Sequence, residues 1–167
     1  GPCFPAPFRV DVRICLIAVG ERPPAWVRDG YADYAKRLPK PFAPELVELP
    51  LGRRSKSSDP TRAIADEGEA VLRALPKQAR VIALDERGAA WSSIELSKQM
   101  HAWQHDGRDV ALLIGGPDGH APEVQKRADQ RWSLSPLTLP HALVRIVVIE
   151  QLYRAWTLLA GHPYHRG

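Results

Sequence analysis

Residues 110–119, Val-Ala-Leu-Leu-Ile-Gly-Gly-Pro-Asp-Gly, decide the fold. Val110 to Ile114 carries no polar residue, as a strand covered by helices on both faces requires, and it runs directly into a turn rich in glycine. Three glycines and a proline within five residues let main-chain amides approach a ligand with no side chains between. Working outward, the same order of strand, turn and helix recurs. Arg13 to Val19 is a β-rich run closed by Gly20. A helix then begins near Pro24, carries Trp26, Val27, Tyr31, Tyr34 and Leu38, and stops before Pro39. Glu45 to Leu49 alternates like a second strand, and Asp59-Pro60 opens a helix reaching about Leu75. Arg80 to Leu84 is a third strand, and Ser92 with Glu95 forms a capping box for a helix ending near Gly107. After the glycine turn come a helix near Pro122 to Gln130, a short strand near Trp132 to Leu134, and a long helix from Pro140 to about Ala160. Strict alternation of this kind predicts an α/β protein with a mostly parallel sheet flanked by helices.

At 167 residues the chain is about one domain by the rule of roughly 150 residues each. Its 44% apolar and 25% charged residues exclude disorder and fibres. No apolar run reaches the roughly 18 residues that a membrane helix needs, so a soluble chain is expected. Two cysteines, Cys3 and Cys15, are too few to staple such a chain and fit a reducing cytoplasm. Residues 1–12, which open GPCFPAPF, read as a cleavage scar or an extension before a domain spanning 13–167. Twenty-three basic against nineteen acidic residues give a net charge of +4, compatible with a polyanionic partner. Arg53, Arg54 and Lys56, with Lys36, Arg37 and Lys40, could contact phosphates or form an ordinary solvated face.

Ligands of open parallel sheets bind beyond the carboxyl ends of the strands. Three stretches there carry chemistry. The glycine turn at Gly115 and Gly116 is neither a Walker loop, lacking Lys-Ser/Thr, nor a dinucleotide fingerprint. Leu134 to His141 (LSPLTLPH) has neither helix nor strand period and suits the wrapping of a flat apolar group such as adenine, with Leu84 beside it. The last helix and tail bring His141, Arg145, Tyr153 and Arg154, then His162, Tyr164, His165 and Arg166, which suit a nucleotide or phosphate. His162 and His165 have metal-compatible spacing, but no further ligands complete a site, so no metal is expected. No Gly-x-Ser-x-Gly elbow supports a hydrolase.

LLIGGPDG, then WSLSPLTLPHALVRIVVIEQLYRAW, then the terminal HPYHR closely resemble the SPOUT-superfamily methyltransferases that modify N3 of a pseudouridine in bacterial large-subunit ribosomal RNA. AVGERPPAWV and LVELPLGRRSK extend the likeness from about Arg13 to Arg166. The resemblance implies a C-terminal deep trefoil knot, which rules of connectivity alone would have argued against. It implies S-adenosylmethionine held against Leu84, Gly115, Gly116, Leu134, Ser135, Pro136, Leu137, Thr138 and Leu139. It also implies a homodimer packed through the last helix, in which the tail of one subunit completes the pocket of the other. His141, Arg154, Tyr164, His165 and Arg166 are then the expected polar groups at the reacting base. The partner is ribosomal RNA, in the large subunit or the assembled ribosome. A non-catalytic RNA- or ribosome-binding protein on the same scaffold is the alternative.

Overall fold

The computed structural model describes residues 12–54 and 59–166; Lys56, Cys3 and the greater part of the 1–12 extension lie outside the described residues. Five strands, β1 (Ile14–Val19), β2 (Glu45–Leu49), β3 (Arg80–Ala89), β4 (Val110–Ile114) and β5 (Gln130–Trp132), pair in the order β2-β1-β4-β3-β5. Every pairing is parallel, with Leu16 opposite both Leu46 and Leu112, and Ile82 opposite Leu112 and Gln130. The α-helices among the described residues are α1 (Ala25–Ala35), α2 (Thr61–Ala74), α3 (Ser93–Asp106), α4 (Pro122–Arg127) and α5 (His141–Ala160).

Period-two alternation sends the strand side chains into two separate cores. Ile14, Leu16, Ala18, Leu112 and Ile114 pack with Leu96, Met100 and Trp103 of α3 and with Val148, Ile149 and Leu152 of α5. Cys15, Ile17, Val19, Ala111 and Leu113 face the other way, against Val71 of α2 and Val124 of α4. Each fully buried side chain, Leu16 or Leu113 for instance, contributes roughly 1.5–3 kcal/mol.

Four elements differ from the sequence expectation, the first being α4, which ends at Arg127 rather than near Gln130 because Asp129 and Gln130 already pair with β3. α1 ends at Ala35 rather than Leu38, because the chain tightens into i→i−3 bonds, Arg37 N–H to Tyr34 and Leu38 N–H to Ala35, on the approach to Pro39. β5 lies two residues earlier than expected, since Asp129 already exchanges hydrogen bonds with Val81, N–H to carbonyl at 2.8 Å and carboxylate to N–H at 2.8 Å. The third strand does not stop at Leu84: it bulges over residues 85–88 and rejoins β5, with Leu84 and Ala89 both opposite Trp132. Capping at the start of α3 is as read, Ser92 Oγ accepting from Glu95 N–H at 3.0 Å.

α5 is apolar all round, a pattern that calls for burial on more than one side. It lies between α1 and α3 on one face of the sheet. Arg145, 3% exposed, is the buried charge in its first turns: it pairs with Glu48 of β2 and donates to the Gly20 carbonyl, fixing the start of α5 against the ends of β1 and β2.

Candidate active site

The carboxyl ends of β4, β3 and β5, neighbours in the sheet, open into one cavity of 450 Å³, within the roughly 300–1,000 Å³ of small-molecule sites. β3 supplies Leu84, Asp85, Glu86 and Arg87; β4 supplies Ile114 and the turn Gly115 to His120. After β5 come Leu134, Ser135, Leu137, Thr138 and Leu139, and the first turns of α5 add His141 and Val144. Of the residues assigned to the cofactor from sequence, Pro136 alone does not line this cavity; it points to solvent. Leu137 is 71% exposed at the rim, its N–H held by Ser135 Oγ at 2.9 Å.

The turn after β4 is closed by Gly119 N–H donating to the Gly116 carbonyl at 3.0 Å. Sequence reasoning assigned its glycines to close ligand approach. At Gly116 the structure gives another reason: a Cβ there would lie 2.8 Å from Glu67 Oε1 and 3.2 Å from Val19 Cγ1, beneath the turn. Any side chain at position 116 therefore acts first on the protein.

His120, one residue past the stretch singled out in the sequence, was missed. Its Nε2 lies 3.1 Å from the Leu84 carbonyl, so the ring ties the β4 turn to the end of β3. Burial pushes its pKa down. His141 is also pushed down, by burial first and by the Arg145 charge second. The Val19 backbone acts the other way, favouring the ring with both Nδ1 and Nε2 protonated. That Nε2 is buried and has no partner.

Both imidazoles ordinarily take a proton near 6.5 and resist it here. The unfolded chain then binds more protons than the folded one just below that pH, so stability falls as pH drops from the ordinary value through the depressed ones. Urea midpoints should decrease between about pH 7.5 and about pH 5.5, and His120→Gln with His141→Gln should flatten that slope. A midpoint that rises on acidification contradicts the assignment.

Arg154 and Tyr164 are not at this cavity in the same chain. Thirteen residues of helix separate Arg154 from His141, roughly 20 Å at 1.5 Å per residue. Arg154 Nε donates to Glu150 Oε1 at 2.9 Å, and the same oxygen accepts from Tyr164 Oη at 3.1 Å. The Arg154 guanidinium lies 5.0 Å from the Tyr164 ring centroid, and burial pushes the phenol pKa up. His165 and Arg166 belong to the final 3-10 turn, Pro163–Arg166, their side chains outside the described residues. Of the basic residues considered for phosphate, Arg54 is engaged internally by Glu67 and Asp118, and Lys36 and Arg37 pair with Asp33. No cluster of potential metal ligands occurs among the described residues.

Curated relatives named ribosomal RNA large subunit methyltransferase H match over 155 residues at 57% identity, one from Alkalilimnicola ehrlichii and one from Saccharophagus degradans. The matched region covers 93% of this chain in both cases, and 99% and 100% of the respective relatives. A solved SpoU methyltransferase, AviRb from Streptomyces viridochromogenes in complex with AdoMet, aligns at 18% identity and a TM-score of 0.42 over 87% of this chain and 58% of its own, too distant for residue correspondences. The family model described as predicted SPOUT methyltransferase matches residues 12–165, from the first strand to the last turn, and with it the chain belongs to the SPOUT methyltransferases.

Proposed function

We propose that this protein transfers the methyl group of S-adenosylmethionine to N3 of a pseudouridine in 23S ribosomal RNA of the large subunit. The observation that carries the reading is the cavity formed by three adjacent strand ends in a chain 57% identical to named large-subunit RNA methyltransferases. The residues present fit the donor. Leu84, Leu134, Leu137 and Leu139 offer apolar surface for a flat base. The glycine turn and the 134–139 loop offer main-chain polar groups, and Asp85 and Glu86 suit hydroxyl groups of a ribose.

S-adenosylmethionine supplies a sulfonium-activated methyl, and the thioether S-adenosylhomocysteine remains after transfer. The chain's work is to hold donor and base in line and to help N3 lose its proton, since the lone pair is otherwise unavailable. His141, which lines the cavity and whose lowered pKa keeps the ring neutral near pH 7, is suited to receive that proton. Arg154 and Tyr164, about 20 Å along the helix, suit the developing negative charge of the base only if they come from a second subunit.

A homodimer through α5 follows from this reading. Positions 143, 147, 150, 154 and 158 share one face at steps of four and three, and Leu143, Val147 and Leu158 on it are not buried by the chain's own packing. The trefoil knot implied by the sequence resemblance belongs to the same proposal. No helix among the described residues is long and apolar enough to cross a membrane; a cytoplasmic location belongs to the same proposal, since ribosomes are the substrate it names.

The test is incubation with labelled S-adenosylmethionine and ribosomes from cells lacking the modification, followed by nuclease mapping and mass spectrometry. The expected result is one methyl per large subunit, on N3 of one pseudouridine. Ribosome binding without incorporation supports the non-catalytic alternative instead.

A further inference from the structure

A single buried carboxylate lies beneath the glycine turn and anchors the arginine that reaches the turn's apex. Glu67, on α2 and 4% exposed, accepts at Oε2 from Gly52 N–H at 2.9 Å and from Arg54 Nη1 at 2.8 Å. Its other oxygen, Oε1, has no partner and lies directly beneath Gly116. Arg54 Nη1 also reaches the Gly52 carbonyl at 3.1 Å. On its far side the same guanidinium meets Asp118, at the apex of the turn, through Nε at 3.0 Å and Nη2 at 3.0 Å. Among the described residues Asp118 forms its ion pair with Arg54, and it lines the cavity together with Gly116.

We propose that Arg54, anchored by Glu67, is a positioning residue for donor binding: it ties the apex of the glycine turn to α2 and so fixes the main chain that faces the ligand. The proposal rests on the donor-binding reading above. A planar fork with five donors can face two carboxylates and a carbonyl together; a single ammonium on a flexible stem cannot hold all three in one geometry. Without the tie the turn stays closed by its own hydrogen bond but is free to move as a unit, and ordering it on binding lowers affinity. Arg54, one of the residues the sequence offered for phosphate, thereby acquires an inward role.

Arg54→Lys separates this role from plain stabilisation. Lysine at 54 can keep the ion pair with Glu67, so the thermal midpoint should stay near that of the unaltered protein. The dissociation constant for S-adenosylhomocysteine, read by calorimetry, should rise about five- to tenfold, with the loss falling on donor KM rather than kcat. Asp118→Asn, which leaves Arg54 and Glu67 paired, should reproduce that loss, and combining the two should add little. If both variants bind S-adenosylhomocysteine within a factor of two of the unaltered protein, the proposal is overturned. If the unaltered protein does not bind it at all, the donor-binding reading fails instead.

Discussion

Chains ending at His162 should bind S-adenosylhomocysteine as the whole protein does, yet transfer methyl groups at least ~100-fold more slowly. The expectation follows from separation. Every described residue that lines the cavity lies at or before Val144, whereas Tyr164 packs on Arg154 and Glu150 far along α5. Removing residues 163–167 therefore leaves the cavity walls untouched and takes away Tyr164, His165 and Arg166. A composite site makes a sharper demand. Thr138→Trp, at an exposed lining position, fills the altered chain's own cavity from the rim; Arg154→Ala, made in a separate chain, disables what that chain lends to its partner. Each variant alone should be nearly inactive. Co-produced and randomly paired, half the dimers carry one of each, and one of their two sites is intact, so about a quarter of normal activity should return. Recovery of none would mean that Arg154 serves its own chain, and an Arg154→Ala variant that is fully active by itself would mean that Arg154 has no part in transfer. A truncated chain that still transfers at the full rate would remove the tail from the reaction altogether.

How legible this was from the residues depends on where the signal is local. The β4 strand and its turn carry their whole message in ten residues: unbroken apolarity, then glycine. Strand and turn are found where that pattern puts them. Ser92 and Glu95 likewise announce α3 by a contact three residues apart. The bulge at 85–88 was not legible, because Asp85-Glu86-Arg87-Gly88 is an ordinary turn sequence until β5 lies beside it. His120 was missed for a related reason. Its partner, the Leu84 carbonyl, is 36 residues away, and no periodicity reports a side chain bonding across strands. Arg54 was readable as a cation but not as an internal one, since Glu67 on a helix and Asp118 in the turn meet it only in the fold. The tail's distance from the cavity, the feature that calls for a second subunit, was already implicit in the long helix read from Pro140 to about Ala160, which the structure shows unbroken from His141 to Ala160.

Gly88→Ala should destabilise the chain by roughly 3 kcal/mol or more, as overpacking against main chain does, and should abolish donor binding with it. A Cβ at position 88 would stand 2.5 Å from Arg131 C and 2.6 Å from Trp132 N, and neither atom belongs to a side chain that could swing aside. Relief requires β5 to move away from the bulge. That movement opens the bond from Ser133 N–H to the Ala89 carbonyl at 2.9 Å, by which β3 resumes its pairing after the bulge. It also carries the Leu134 to Leu139 loop away from the glycine turn, because that loop leaves directly from the end of β5. Stability and affinity are thus linked through one close approach of two backbones. Urea unfolding measures the first and calorimetry with S-adenosylhomocysteine the second. An alanine variant within about 0.5 kcal/mol of the unaltered protein, the range of an ordinary surface change, would show that the bulge does not rest on β5. A strongly destabilised variant that still bound donor with full affinity when folded would show that the cavity does not need β3 and β5 held together.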